Sequence, residues 1–437
     1  MAERAVAPQP PAAVPTERYR VHDVVPDAAH APASAEEAGR LLRACTADRL
    51  AVECAGGGTW LSWGRPPAAV ERVITTARLD GIVEYNPADL TIGVGAGATL
   101  ADVRAAVTAA NQVLPLDPPA LPGATVGATA ALASAGPLRM AWGAPRDQVL
   151  GVEIVSGDGR LLRFGGRVVK NVAGYDIVRL FVGSRGALGL ITRLHLRLRP
   201  APPRDVTVAA FGARPASLLA LARDTALPLL PAALELLAPA TARALALAEP
   251  AWCLLARFRG NVSGIDAAVG RWLAAARTHR AMVLSPADAL AMWDALSRSE
   301  ADAPVCFRLA GQPAALADTV AFGAAAAAGG LDARPAKDLR AFPDDWHGAA
   351  HVGDGIVRVW HDASPDEERA MRLADDVLGV RVALENRGGS LTIERAPPDV
   401  LRRAMPVGDA GAAARIARGL KEVFDPAGIL SPGRYVR

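Results

Sequence analysis

Residues 165–200 read "GGRVVKNVAGYDIVRLFVGSRGALGLITRLHLRLRP", and two patterns meet in them. From Leu190 the run alternates: Leu190, Thr192, Leu194, Leu196 and Leu198 share one face, Ile191, Arg193, His195, Arg197 and Arg199 the other. That period of two predicts an amphipathic strand with a solvated arginine face. The preceding part has no such period. Its Gly183, Gly186 and Gly189 free backbone amides for contact, and Lys170 and Arg185 could neutralise phosphate charge. Asn171 and Tyr175 could hydrogen-bond a heterocycle or a ribose. A strand–loop–strand corner with solvated arginines accounts for the same residues without a ligand.

Upstream, "VLGVEIVSGDGRLLRFGG" reads as a hairpin turning at Ser156-Gly157-Asp158-Gly159. Further back, "CAGGGTW" (54–60) follows a predicted strand, and its three glycines could present several N–H groups to a diphosphate. A tight turn has the same composition, and the Gly-Lys-Ser/Thr ending of a nucleoside-triphosphate loop is missing. "GVGAG" (93–97) is spaced G-x-G-x-G after a second strand, not as a Rossmann fingerprint. "LPGATVGATAALASAGPLRMAWG" (121–143) is small-residue coil, long for a compact domain and too apolar for disorder, which predicts close wrapping of a flat ligand. Helices are predicted over "EEAGRLLRAC" behind Ser34 and "TLADVRAAVTAAN" behind Thr99.

Residues 1–33 are proline- and alanine-rich and read as a flexible lead-in with at most one edge strand near 19–25. After Pro200 the chain becomes alanine–leucine helices alternating with short strands, a separate α+β unit of about two hundred residues. An amphipathic helix, "AAARIARGLKEVF", stops at Asp425-Pro426 near the end. His347 and His351 stand at i, i+4, a metal-capable spacing on a helix, but Gly348 weakens that helix and scattered surface histidines explain them as well.

The totals exclude several functions. Lys plus Arg is 48 against 45 for Asp plus Glu, a formal charge of +3, and aromatics are 5%, so neither a nucleic-acid footprint nor a stacking platform is present. Cys45, Cys54, Cys253 and Cys306 are far apart, which predicts no metal or iron–sulfur site and fits a reducing, cytoplasmic setting. No segment has the length of a transmembrane span.

In this order, the glycine-rich segments resemble the FAD-binding domain of vanillyl-alcohol-oxidase (PCMH-type) flavoproteins. "AGGGTW" looks like the first pyrophosphate loop, "PGATVGATAALASAG" the second, and 157–200 the closing strand–loop–strand. Within that family, "GRVVKNVAGYDIVRLFVGSRGALG" and "FDPAGILSPGRY" are similar to FAD-binding subunits of bacterial glycolate oxidases. The resemblance implies an α+β fold: an FAD-binding domain of two α+β subdomains over 34–203, an inserted α+β cap over 204–405, and a C-terminal helix and tail over 406–437 returning to the first domain. It implies FAD contacts from Gly56, Gly57, Gly58, Thr59, Pro122, Gly123, Thr125, Gly127, Lys170, Asn171, Gly183, Gly189 and Ile191. Relatives that bind flavin covalently here carry a histidine after the first glycines. This chain has Thr59-Trp60, so non-covalent FAD is the expectation.

The implied activity is oxidation of glycolate, a 2-hydroxy acid, to glyoxylate by hydride transfer to flavin N5, within a complex with a second flavin subunit and an iron–sulfur subunit. Related D-2-hydroxy-acid dehydrogenases carry paired metal-ligand histidines that His347 and His351 do not reproduce. A self-sufficient FAD-dependent 2-hydroxy-acid dehydrogenase and a flavin-binding relay subunit without turnover therefore stay open. The catalytic residues are not legible.

Overall fold

The computed structural model describes residues 12–166, 176–247, 251–328, 342–404 and 412–434. Strands β1 (Ala12–Val14), β2 (Ala28–Ala31), β3 (Val52–Ala55) and β4 (Arg72–Thr75) form one sheet in the order β1-β2-β4-β3, with α1 (Ala35–Asp48) between β2 and β3. Ser34 caps α1, its Oγ accepting the Glu37 N–H at 3.2 Å. Residues 12–31 are thus a correction to the flexible lead-in over 1–33. β2 finds a parallel partner in β4, and Tyr19, Val21 and Ala29 join Leu61 and Val73 in a small core.

A second sheet contains β5 (Ile82–Asn86), β6 (Thr91–Gly95), β8 (Val149–Val155), β9 (Leu161–Gly165) and β10 (Leu190–Arg197), ordered β5-β6-β10-β8-β9 and antiparallel throughout. Between them lie α2 (Leu100–Thr108), β7 (Gln112–Val113), α3 (Val126–Leu132), α4 (Arg139–Trp142) and α5 (Val178–Phe181), and β11 (Arg199–Pro200) pairs with β7. On β10, Leu190, Thr192, Leu194 and Leu196 are buried and Arg197 is exposed, as the alternation predicts. Ile191 departs from it. The register against β8 shifts after Ile191, and the residue is 5% exposed rather than on the wet face. The segment 121–143 is less coil-like than its composition, because Thr125 caps α3 by accepting the Ala128 N–H at 3.3 Å.

The second lobe is one antiparallel sheet of β12 (Arg204–Gly212), β13 (Ala233–Leu237), β14 (Trp252–Gly260), β15 (Arg280–Val283), β16 (Val305–Ala310), β17 (His347–His351), β18 (Ile356–His361) and β19 (Ser390–Arg395), in the order β15-β12-β14-β13-β17-β18-β16-β19. Its helices are α6 (Pro215–Leu221), α7 (Pro239–Ala244), α8 (Val262–Ala275), α9 (Pro286–Asp302), α10 (Leu316–Ala328), α11 (Glu367–Glu385) and α12 (Pro398–Ala404). One sheet face is apolar under α6, α8, α10 and α11, with Trp272, Phe307 and Val359 fully buried there. Alternate residues on the central strands point the other way, and those include Glu235, Arg308, His351, Arg358 and Glu394. His347 and His351 are therefore strand residues, both buried, rather than scattered surface histidines.

Helix α13 (Ala412–Phe424) returns to the first lobe, where Phe424 packs edge-on against Phe164 and Phe181. Beyond it, the Val52 N–H donates to Ile429 O and the Ser431 N–H to Val52 O, each at 2.8 Å, so the tail runs alongside β3.

Candidate cofactor cleft and charged interface

Where β3 ends, the chain turns through Gly56, Gly57 and Gly58 against the 121–132 segment. A Cβ on Gly56 would strike Thr125 Oγ1 and one on Gly57 would strike Gly123 O, so these glycines let two backbones touch. The third segment closes the arrangement, with the Gly183 N–H on Ala130 O at 3.0 Å and the Arg185 N–H on Ala131 O at 2.7 Å. Together they enclose a cleft of about 630 Å³, its mouth included.

Gly56, Gly58, Thr59, Gly127, Gly189 and Ile191 line this cleft, beside Cys54, Trp60, Arg185 and Arg434. Gly57, Pro122, Gly123, Thr125 and Gly183 are not in its lining; Gly57, Gly123 and Thr125 serve the contact between loops. Lys170 and Asn171 lie outside the described residues. Two polar atoms in the cleft wall, Thr59 Oγ1 and Trp60 Nε1, are buried without a hydrogen-bond partner among the described residues. Such groups are costly unless a ligand satisfies them.

Arg434 is a wall residue that sequence reasoning missed. Its Nη1 meets Glu53 Oε1 at 2.5 Å, and its Nη2 donates to Leu61 O at 2.7 Å and Trp63 O at 2.5 Å. Burial holds the Glu53 carboxyl above the usual carboxylate range, while Arg434 pulls it back.

A profile described as "FAD binding domain" matches residues 26–165. Residues 26–165 are an FAD-binding domain. It is 35% identical to glycolate oxidase subunit GlcD of Bacillus subtilis over 43% of this chain and 40% of that protein. It is 43% identical to glycolate oxidase subunit GlcE of Escherichia coli over 32% of this chain and 42% of that one. Each match thus spans well under half of the relative's own length. The solved structure of p-cresol methylhydroxylase superposes with a TM-score of 0.70 at 15% identity, over 95% of this chain and 89% of that one, so the α+β fold is shared across both lobes. FAD is the cofactor of this domain. The cleft suits it: backbone amides at the glycine turns, unsatisfied Thr59 and Trp60, and the Arg185 and Arg434 cations would face a dinucleotide.

The second lobe presents its polar sheet face to this domain. Arg358, 3% exposed, lies 3.3 Å from both Glu300 and Glu394, and its Nη2 reaches Ala135 O of the second glycine-rich segment at 3.4 Å. The Gly64 N–H, just past the first loop, donates to Glu394 O at 2.8 Å. Beside Arg358, His351 Nδ1 pairs with Glu235 Oε1 at 2.7 Å. His351 Nε2 has no hydrogen-bond partner among the described residues.

Burial raises the Glu300 carboxyl to about 7 against the pull of Arg358. Burial also raises Glu394, but Arg358, Arg308 and Arg185 outweigh it and hold that carboxyl low. Burial opposes charge on His351, yet Glu235 outweighs it and raises the imidazole. These five residues come from β13, α9, β17, β18 and β19, and no sequence spacing links them. Among the described residues no group of three or more His, Cys, Asp or Glu side chains could hold a metal. None of the described helices is long and apolar enough to cross a membrane.

The raised Glu300 has a consequence for stability. A carboxyl whose folded value lies above its usual 4.5 contributes stability that is full below 4.5 and lost as pH rises through about 7. Glu300→Gln should therefore remove part of the decline in melting temperature between pH 5 and 8, read as a slope rather than a level. Parallel slopes for the two proteins would place the titration elsewhere.

Proposed function

We propose that this chain is the FAD-binding subunit of a glycolate-oxidising complex, with non-covalent FAD, in which residues 204–405 form a cap whose polar face completes the reaction site. Bound FAD supplies a hydride acceptor at N5. The observation carrying the reading is the His351–Glu235 pair, which matches a base held by an orienting carboxylate and leaves Nε2 open. Nε2 takes the proton of the substrate hydroxyl as hydride leaves the α-carbon, which gives the carbonyl of glyoxylate. Glu235 keeps the proton on Nδ1 and steadies the imidazolium that results. Thr59 in place of a histidine after the first glycines supports non-covalent binding. The names of the two bacterial relatives support glycolate and a multi-subunit setting. A second flavin subunit and an iron–sulfur subunit as partners rest on the sequence resemblance alone.

A second reading, a relay subunit without turnover, is favoured by Arg358. Its guanidinium is already engaged by Glu300, Glu394 and Ala135 O, so it offers no open fork to a substrate carboxylate. Anaerobic mixing of the purified FAD-loaded chain with glycolate separates the readings. Bleaching of the oxidised flavin band sinks the relay; bleaching that needs added partners sinks a self-sufficient 2-hydroxy-acid dehydrogenase.

If glycolate does reduce the flavin, His351→Gln should slow reduction by about 10²–10⁴-fold. The wild-type rate should rise with pH through the raised imidazole value, since only neutral His351 accepts a proton. An unchanged rate in His351→Gln refutes the base.

A further inference from the structure

A second cleft, of about 1040 Å³ with its mouth, lies between α2 and the 113–142 segment of the FAD-binding domain and β13, β14 and α9 of the other lobe. It shares no lining residue with the cofactor cleft. Its walls carry Arg104 from one lobe and Arg257 and Arg259 from the other. Two indoles hold the latter pair: Arg259 lies over Trp142 at 5.2 Å and Arg257 over Trp293 at 5.8 Å.

The charges do not cancel. One carboxylate, Asp205, serves both Arg257 and Arg259, at 2.7 and 3.0 Å, and Asp294 on α9, which also attracts Arg104, is paired with Arg298. Asp117, facing Arg104, is taken up by the N–H groups of Gly136 and Leu138. Burial raises its carboxyl to about 6, so it offsets less charge in weakly acidic solution.

We infer that this interlobe cleft is a second ligand site, built for a small multiply charged anion whose carboxylate or phosphate groups reach Arg104 and Arg259 from opposite lobes. Guanidinium groups held over indole rings match oxyanions, and a ligand bridging the lobes binds only the assembled fold. Occupancy would fix how the cap sits on the FAD-binding domain.

The experiment uses the full FAD-loaded chain and no turnover, so it stands or falls apart from the proposed reaction. Citrate and pyrophosphate are titrated at constant ionic strength while tryptophan fluorescence and melting temperature are followed. The expected result is a saturable change with one or both probes, at least about tenfold weaker in Arg259→Gln and in Arg104→Gln, with the flavin spectrum unchanged. The tighter probe identifies carboxylate or phosphate as the group recognised. Changes that do not saturate, or equal affinities in both variants and wild type, overturn the site. If one variant loses flavin on purification, the other decides.

Discussion

Replacing Arg434 with methionine is expected to destabilise the protein by about 3–5 kcal/mol and to strip it of flavin. The guanidinium is 4% exposed as a residue and ties the C-terminal tail to three points of the first loop region: Glu53, Leu61 O and Trp63 O. Its removal leaves the Glu53 carboxylate buried without its cation, a far larger penalty than the loss of a surface pair. Both ends of that pair line the cofactor cleft, so the damage falls on the cleft wall. Urea denaturation gives the stability change, and the flavin-to-protein ratio after gel filtration gives retention. The double variant Glu53→Gln/Arg434→Met should recover part of the stability, because no uncompensated charge is then buried. Full flavin content in Arg434→Met would show that the tail does not shape the cleft.

Gly57→Ala should abolish stable FAD binding while Gly81→Ala leaves it intact. A methyl on Gly57 would collide with the Gly123 carbonyl, whose carbon lies 3.1 Å from the added atom. Backbone cannot swing aside as a flexible side chain can, so the first and second glycine-rich loops must separate. The fold cost is on the order of 1–3 kcal/mol, but the loss in cofactor affinity is larger because the two loops form facing walls of one cleft. At Gly81 the same methyl meets nothing within 4 Å, which controls for the substitution itself. The ratio of flavin absorbance to protein, followed through dilution, reads the effect. Equal retention by both variants would mean that the loops need not touch to bind the cofactor.

Much of the first lobe was legible because its signals are local. Ser34, Thr99 and Thr125 each accept a backbone N–H three residues on, a contact that the chain makes with itself. The hairpin at 156–159 and the alternation of β10 are likewise short-range patterns. Glycines marked the cleft for a related reason: wherever two backbones meet, no other residue fits, so the need shows in the residue type. The same logic misled at 12–31, where proline and alanine conceal strands that exist only because β4 is present to pair with them.

The sequence by itself determined the 156–159 hairpin, the alternating strand β10, the caps and the glycine turns, and with them that a flat dinucleotide has a place in the N-terminal lobe. Only the tertiary structure decided what Glu235, Glu300, His351, Arg358 and Glu394 are. On their strands and helix they look like solvent-facing residues between apolar neighbours, and alternation cannot tell water from another lobe. Packing of α9 and of the FAD-binding domain on that face removes the water, and desolvation then forces the charges into pairs and shifts their proton affinities. Burial by a distant part of the chain is a property of the assembled lobes, and no local pattern encodes it.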